Sequence, residues 1–483
     1  MRARLLLLAG ALAAFGASLG SGFHFDDYAI FSDPALGAAN GWLQVWAPRQ
    51  TRPLTYFTFW LNRQIGGGDP LGYHLFNLAL HLGAAALAWA CLRRLLPERP
   101  ALIAAALFAI HPIQSEAVDY VWARGILLAA LLCFASLWNW LEGRRWAAVA
   151  WFAAALLAKE ECAAFPLFLA WIEYRRGAAS KAPRAWGPIA AMLVLALAAG
   201  ARVIYAIAVT PGAPAGLHAG ISPVTYLLAQ GHVILRYLQL AILPWGFTID
   251  PAVSTARWPG VAGWLVLAVA LVLAWRKAPA SIFTWIVAGF LLLLPSSSIF
   301  PAADLAADRR MYLPMFAFAA ALALALDRVP FNAVLAVVGV ILMGLSVQRT
   351  IVWMSDQSLW REAMERAPEK TRPKIQLARA LPASQALELL NRARLAAPHD
   401  PAIAAETGKI LLSEGQPDAA LDEFGRALAL DPANPQYLNN RGVALQALGQ
   451  TEAARADFVR ALQLAPDLAE ARENLAKLPP ATQ

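Results

Sequence analysis

Charged residues are scarce in this sequence. Asp, Glu, Lys and Arg make up 15% of the 483 residues, whereas soluble domains usually contain about a quarter. Hydrophobic residues make up 59%, which is more apolar surface than a water-soluble fold of this length can bury. Charge is denser toward the C-terminus, so the chain consists of two parts of different composition that join near Ser346.

Cysteine is also scarce. Cys91, Cys133 and Cys162 each lie inside an apolar stretch, and their spacing fits neither a disulfide framework nor a zinc site. We therefore interpret them as small buried side chains. The net charge of +8 does not require a nucleic-acid partner, because an excess of Lys and Arg in cytoplasmic loops explains it.

Long apolar runs are abundant. A hydrocarbon core of about 30 Å is crossed by about 20 helical residues, and about eleven stretches can serve as spans if the short ones borrow flanking residues. They lie near 5–21, 73–92, 101–111, 126–141, 146–158, 162–173, 187–209, 261–275, 281–299, 311–326 and 331–347. The first resembles a secretory signal peptide, but the many later stretches favour an uncleaved first span with Arg2 and Arg4 in the cytoplasm.

The basic residues between the stretches predict the orientation. They concentrate in alternate gaps: Arg93, Arg94, Arg99; Arg144, Arg145; Arg175, Arg176, Lys181, Arg184; Arg276, Lys277; and Arg328. The positive-inside rule places these gaps and the N-terminus in the cytoplasm, and the C-terminal part on the external side. The segment 223–243 would reverse the later assignments if it crossed. Its polar residues favour an interfacial or re-entrant helix on the external face.

The C-terminal part, which we delimit as 351–483, contains a repeat. Prolines recur at 368, 398, 432 and 466, at spacings of 30, 34 and 34 residues. The last two units match position by position, for example Gly408 with Gly442 and Phe424 with Phe458. A period of 34 residues indicates tetratricopeptide repeats (TPR), and Trp360 and Leu390 fill the same position in two degenerate upstream units. Such arrays bind peptides or protein surfaces.

Candidate chemistry lies at the external ends of the spans. Asp26 and Asp27 follow the first span, and a carboxylate against an apolar wall is a general-base candidate. A helix cap or a solvated turn explains the pair equally well. His111, Glu116 and Arg124 flank the third loop, where a polar pocket is one interpretation and a structural cap is the more common role of a histidine before proline.

Cations at the outer leaflet suit a lipid phosphate. Lys159 and Arg309 are candidates for this contact, whereas Arg310 is expected to extend to lipid headgroups.

Taken together, these stretches resemble the transmembrane and tetratricopeptide-repeat (TMTC) O-mannosyltransferases, whose membrane part belongs to the GT-C class of glycosyltransferases. The resemblance rests on these segments: His24-Phe25-Asp26-Asp27 with Ala29-Ile30; Arg52-Pro53-Leu54; Tyr73-His74 with Asn77 and His81; His111-Pro112 with Glu116-Ala117-Val118 and Arg124; Lys159-Glu160; Ser298-Ile299-Phe300-Pro301; and Asp308-Arg309 with Tyr312-Leu313-Pro314. The repeat array is short for the family, and Asp308 replaces the glutamate of its Glu-Arg pair.

The resemblance implies an all-α fold, with a polytopic GT-C-type membrane domain over 1–350 and a TPR α-solenoid behind it. It implies transfer of a sugar, mannose in the family, from a polyprenyl-phosphate donor to a hydroxyl of a protein Ser or Thr, with inversion. No cofactor is required, although a divalent metal is compatible with the reaction. The Ala- and Arg-rich composition is typical of a bacterial protein, which implies an inner-membrane location, a periplasmic TPR domain and a donor other than dolichol.

The resemblance also distributes roles. Asp26 is the expected base and Asp27 its partner, or the reverse. Three cations would bind the donor phosphate: Arg309 first, then Arg124 and Lys159. His111, Glu116, Arg52 and Asp308 would shape the sugar or acceptor pocket. Two other functions remain open, a non-enzymatic TPR scaffold for envelope assembly and a transporter of lipid-linked sugars. Neither sugar nor acceptor identity follows from the sequence.

Overall fold

The chain is almost entirely helical in its computed structural model, which describes residues 2–47, 50–177, 186–209, 220–298, 300–302, 304–328 and 332–479. It divides into two units, Met1–Ser355 and Asp356–Gln483, close to the predicted boundary at 350. Within the described ranges there is no β-strand, so the predicted all-α fold is confirmed.

The first unit is a bundle of apolar helices. Its helices are Arg2–Phe15, Ala29–Ser32, Pro34–Gly37, Gly41–Gln44, Pro53–Gly66, Pro70–Leu95, Glu98–Ile110, Ser115–Asp119, Arg124–Leu141, Arg145–Ala158, Phe165–Gly177, Trp186–Val209, Pro223–Ile242, Arg257–Lys277, Ala280–Leu293, Tyr312–Leu326 and Asn332–Val352. Short 3-10 turns lie at Gly16–Gly20, Phe25–Tyr28, Pro112–Gln114, Val121–Ala123, Glu160–Ala164 and Asp308–Met311. One large apolar core runs through most of these elements.

Each of the eleven predicted stretches coincides with a helix of this bundle. In the described part of the chain, seven helical segments are long and apolar enough to cross a membrane, or eight if the bent pair Glu98–Ile110 and Pro112–Asp119 is one span. Two further apolar helices are shorter, Arg145–Ala158 and Ala280–Leu293. Membrane helices are therefore present, and the count of eleven stays a prediction. The residues Lys181 and Arg184, used to orient the chain, and Ile299 of the family motif lie outside the described residues.

Helix Pro223–Ile242 is not among these candidate spans. It packs on Arg257–Lys277 through glycines: a Cβ on Gly260 would lie 2.6 Å from the Leu228 carbonyl oxygen, and one on Gly263 would lie 2.6 Å from the Gly231 carbonyl carbon. The later glycine of Arg257–Lys277 meets the later residue of Pro223–Ile242, so the two contacts follow in the same order along both helices. The C-terminal halves of the two helices also line one apolar cavity. The two consecutive helices thus run in the same direction, so the chain doubles back between them. This geometry supports the re-entrant interpretation of 223–243.

The second unit is a stack of helix pairs. Its helices are Asp356–Arg366, Thr371–Arg379, Ala383–Ala396, Pro401–Ser413, Pro417–Leu430, Pro435–Ala447, Thr451–Leu464 and Ala469–Lys477. A Cβ on Gly408 would lie 2.7 Å from the Phe424 ring, and one on Gly442 would lie 2.5 Å from the Phe458 ring. Glycine is therefore required where each aromatic ring fills the space between paired helices. This is the packing that the 34-residue period predicted.

Candidate active site

The acidic pair lies in a short turn after the first helix. Asp27 is fully buried and its two carboxylate oxygens accept backbone N–H groups, from His24 at 2.9 Å and from Trp122 at 2.7 Å. Burial raises the pKa of Asp27 to about 7, although these hydrogen bonds oppose the shift. Asp26 is exposed on the same turn. The pair is thus divided into one carboxylate that fixes the turn and one that faces outward.

The turn is fixed by contacts with distant parts of the chain. The ring of His24 hydrogen-bonds the carbonyl of Trp353 at 2.6 Å, and the ring of His74 hydrogen-bonds the carbonyl of Gly22 at 3.1 Å. These contacts join the first external turn to helix Pro70–Leu95 and to the residue that follows the last helix of the bundle. The position of Asp26 is therefore set by tertiary structure and not by the turn alone.

Tyr120 connects the acidic turn to Arg309. Its ring stacks on Phe25 at a centroid distance of 4.9 Å and on Trp353 at 5.7 Å. On the same ring lies the guanidinium of Arg309, 5.9 Å from the centroid. The base candidate and the first candidate for the donor phosphate are thus brought together around one aromatic ring.

Arg309 is paired with Glu116, which lies 193 residues away in the sequence. Its Nη1 and its backbone N–H both donate to the Glu116 carboxylate, the latter at 3.0 Å. A longer contact of 3.4 Å joins Nη2 to Asp304. The Arg309 side chain keeps 19% of its surface exposed, so it is not fully enclosed by these contacts.

Asp308, the neighbour of Arg309, accepts both guanidinium branches of Arg236. The adjacent Tyr237 hydroxyl donates to the Ala307 carbonyl and accepts the Ala307 N–H, each at 2.9 Å. Helix Pro223–Ile242 therefore holds the segment that carries Arg309 in place. Asp308 acts on Arg236, and its two oxygens are occupied.

Two further ion pairs occur near the start of helix Phe165–Gly177. Arg52 donates to Glu160 through Nε at 2.9 Å and Nη2 at 2.5 Å; burial alone would raise the pKa of Glu160, but Arg52 lowers it to about 2. Lys159 lies 3.1 Å from Glu161. Burial is the main cause that lowers the pKa of Lys159 to about 8; the charge of Glu161 opposes this shift, and those of Arg52 and Arg309 add to it. Lys159 and Arg309 thus share one electrostatic environment.

Arg124 is placed differently from the other predicted phosphate ligands. Its guanidinium is fully buried, with Nε 2.9 Å from the Asn77 side-chain oxygen and Nη2 3.0 Å from the Tyr73 carbonyl oxygen. The rings of Phe59 and Phe76 cover it at 4.6 Å. In this arrangement Arg124 joins helices, and a ligand has no access to it.

The side chains of His111 and Arg310 are buried and hydrogen-bond to backbone groups. The Nδ1 atom of His111 accepts the N–H of Ile113 at 3.1 Å, and the side chain is buried, so the capping interpretation describes it best. The expectation that Arg310 extends to lipid headgroups is wrong. Its guanidinium is buried and donates to the carbonyls of Asp304 and Leu305 and to the Tyr226 hydroxyl, which together hold it inside the bundle.

Sequence reasoning missed Tyr120, Arg236 and Trp353 as parts of the site. The sequence does contain a signal for Arg236, because an arginine inside an apolar helix requires a charged or polar partner. Tyr120 and Trp353 had none, because aromatic residues at the ends of apolar helices are common. Among the described residues, no group of three or more His, Cys, Asp or Glu side chains is arranged to hold a metal ion.

Known proteins resemble this chain in two ways, through repeat models in its C-terminal part and through relatives that share a longer stretch of sequence. A family model described as "TPR repeat" matches residues 408–449, and one described as "Tetratricopeptide repeat" matches 435–468. The chain is 28% identical over 270 residues to protein O-mannosyl-transferase Tmtc2 of Drosophila melanogaster, covering 50% of this chain and 29% of that protein. It is 41% identical over 117 residues to Tmtc1 of the same organism, covering 23% and 14%.

A human relative gives the same result. Protein O-mannosyl-transferase TMTC4 of Homo sapiens is 32% identical over 172 residues, covering 30% of this chain and 23% of that protein. The chain spans less than a third of the length of each of these three relatives. The predicted resemblance to the TMTC family is confirmed by these relatives, which carry the name of protein O-mannosyl-transferases.

Proposed function

We propose that this chain is a membrane glycosyltransferase that transfers a sugar, mannose by analogy with its relatives, from a polyprenyl-phosphate donor to a protein Ser or Thr hydroxyl on the external side. The observation that carries the proposal is the geometry around Tyr120. It brings the exposed Asp26 turn and the partly exposed Arg309 to one ring. A base and a cation on opposite sides of a reacting sugar phosphate are what this reaction needs.

Asp26 is the base in this proposal. Its carboxylate takes the proton of the acceptor hydroxyl, the hydroxyl oxygen forms a bond to the anomeric carbon, and the bond from that carbon to the phosphate oxygen breaks with inversion. Asp27 is a positioning residue, because both of its oxygens already accept backbone N–H groups. This geometry supports the first of the two assignments that the sequence left open.

The departing lipid phosphate carries negative charge, which Arg309 and Lys159 would stabilise. A phosphate oxygen that approaches Arg309 would displace the 3.4 Å contact to Asp304 and leave the shorter Glu116 contacts in place. Glu116, Asp308 and Arg52 are then positioning residues, each paired with a charged partner of the site. The proposal does not use Arg124 or His111 as ligands.

The compartment and partners are also part of the proposal. The positive-inside pattern supports an external location for this end of the bundle. In a bacterium this is the periplasmic side of the inner membrane. Surrounding membrane lipids would deliver the polyprenyl donor laterally, and the repeats would present the acceptor protein, as such arrays commonly do. No cofactor is invoked, and nucleic acid has no role.

The decisive experiment compares two acid-to-amide variants of the same turn region. Asp26→Asn should lower transfer from a radiolabelled polyprenyl-phosphate mannose to a Ser/Thr peptide by about 10²- to 10⁴-fold, the usual contribution of a general base. Asp33→Asn is the matched control. Asp33 caps helix Pro34–Gly37 by accepting the Ala35 N–H at 2.9 Å, and asparagine caps a helix equally well. Full activity of Asp26→Asn would refute the assignment of the base.

The TPR matches support one alternative, a non-enzymatic scaffold. Under that alternative, deletion of 356–483 abolishes function, whereas Asp26→Asn has no effect. Under the enzyme proposal, the deletion lowers transfer to a protein acceptor more than transfer to a short peptide. The two variants together separate the functions.

A further inference from the structure

A basic pocket of 260 Å³ lies at the ends of three helices of the first unit. Its lining includes Arg94, Arg175, Arg176, Ser281, Thr284 and Trp285. Three arginines contribute to it, and none of its lining residues is acidic. The proposed transfer reaction uses none of these residues.

The pocket lies at the end of the bundle opposite the candidate active site. Helix Pro70–Leu95 carries Tyr73, which contacts Arg124, at one end and Arg94 at the other. Helix Phe165–Gly177 follows the Lys159 turn and ends at the pocket. Helix Ala280–Leu293 begins at the pocket, and Leu292 lines a small cavity with Lys159, so about 20 Å of helix at 1.5 Å per residue separates the two sites.

The positive charge of the pocket is only partly neutralised. Arg94 pairs with Glu142 at 2.7 Å, and the Nε of Arg175 donates to the Thr284 hydroxyl, a neutral acceptor, at 2.9 Å. Arg176 is exposed, and it forms no ion pair with any residue in the described ranges. The pocket therefore carries an excess of positive charge that suits an anion.

Two further features point to a phosphate at a membrane surface. Helix Ala280–Leu293 starts here with no side-chain cap, so its first N–H groups add to the positive potential beside Ser281. Trp171 lies under Arg175 at 5.5 Å and Trp138 lies under Arg94 at 5.2 Å, while Trp285 lines the pocket. Tryptophans with arginines at helix ends are typical of the membrane–water interface.

We propose that this pocket binds the phosphate of an anionic phospholipid headgroup. Arg175 and Arg176 would hold the phosphate against the start of helix Ala280–Leu293, and Arg94 would close the third side. The positive-inside pattern places this pocket in the cytoplasmic leaflet, which carries anionic lipid. A lipid at this position would join three helices at the end of the bundle remote from the acidic turn.

The test measures binding of fluorescent phosphatidylglycerol to the full chain in a neutral detergent. Arg176→Gln should weaken binding about fivefold, since one cation near an anionic surface contributes about 1 kcal/mol. Ser281→Asp is the sharper variant. An acid in the first turn favours the helix dipole and preserves the helix, yet it repels a phosphate, so binding should fall while thermal stability is kept.

Lys277→Gln is the matched control, because it removes one charge at the end of a neighbouring helix without lining the pocket. An equal loss of binding in Lys277→Gln and Arg176→Gln would show general electrostatic attraction and overturn the proposal. Displacement of the lipid by millimolar inorganic phosphate would show that the pocket takes free phosphate instead. Unchanged binding in Ser281→Asp would also overturn it.

Discussion

The two units of this chain use charged residues in different ways. In the first unit, several ion pairs join residues far apart in sequence: Glu116 and Arg309 are 193 residues apart, Arg52 and Glu160 are 108 apart, and Arg236 and Asp308 are 72 apart. In the repeats, pairs such as Arg394 with Glu423 and Arg441 with Asp457 are 29 and 16 apart, within or between neighbouring helices.

The difference shows which contacts fix the arrangement of the helices in each unit. A repeat stabilises itself through nearest neighbours, so its charged pairs follow from the period of the sequence. A membrane bundle buries charge only where a partner compensates it, because an unpaired charge in an apolar environment is costly. The long-range pairs therefore lie where only one arrangement of helices brings the charged partners together. This region contains the candidate site.

The strongest test of this comparison breaks a buried pair. Arg236→Met or Asp308→Leu alone should destabilise the first unit by about 3–5 kcal/mol, since each leaves its partner charged and enclosed. The double variant should recover most of the loss, because two apolar residues need no pairing. Thermal unfolding of the full chain in detergent measures both. A double variant as unstable as either single one would contradict the interpretation.

A steric test addresses the repeats. Gly442→Ala should cost about 1–3 kcal/mol, because its Cβ would lie 2.5 Å from the Phe458 ring in a filled space. Gly425→Ala is the control, since nothing lies within 4 Å of its Cβ and alanine favours a helix. Calorimetry of the full chain should show a lower transition for the first variant only. Equal transitions would mean that the glycine contact is not required.

The acidic turn gives a pH-dependent prediction. Because burial raises the pKa of Asp27 to about 7, the folded chain keeps a proton that the unfolded chain releases near its ordinary pKa. The free energy of unfolding should therefore fall as pH rises from about 4 to 7, by at most about 1.4 kcal/mol per pH unit. Unfolding measured across this range should show a shallower slope in Asp27→Asn. An identical slope would assign the effect to other groups.

The smallest effect should come from an exposed pair of the repeats. Arg392 and Glu388 lie four residues apart on one helix, with 74% and 64% of their side chains exposed. Arg392→Ala should change stability by about 0.3–0.5 kcal/mol, and salt should screen even that. A loss comparable to that of Arg236→Met would remove the contrast between the two units.

Much of the fold follows from local pattern. Each predicted apolar stretch coincides with a helix, and the glycine and phenylalanine positions of the last two repeats pack as the period predicted. The re-entrant interpretation of 223–243 is supported by contacts and not by hydropathy, because the direction of this helix relative to Arg257–Lys277 shows in glycine contacts about 30 residues away. The sequence showed the polar residues there but not their partners.

For the candidate site, the sequence by itself determined which residue types occur at the ends of the apolar stretches, because hydropathy and short motifs are properties of neighbouring residues. Only the tertiary structure decided which of them are buried and which remain exposed. Asp26 is exposed and Asp27 is buried, and the Arg309 side chain keeps 19% of its surface exposed while Arg124 is enclosed by Asn77 and aromatic rings. The reason is that burial and pairing depend on contacts between residues that are tens to hundreds of positions apart in the sequence.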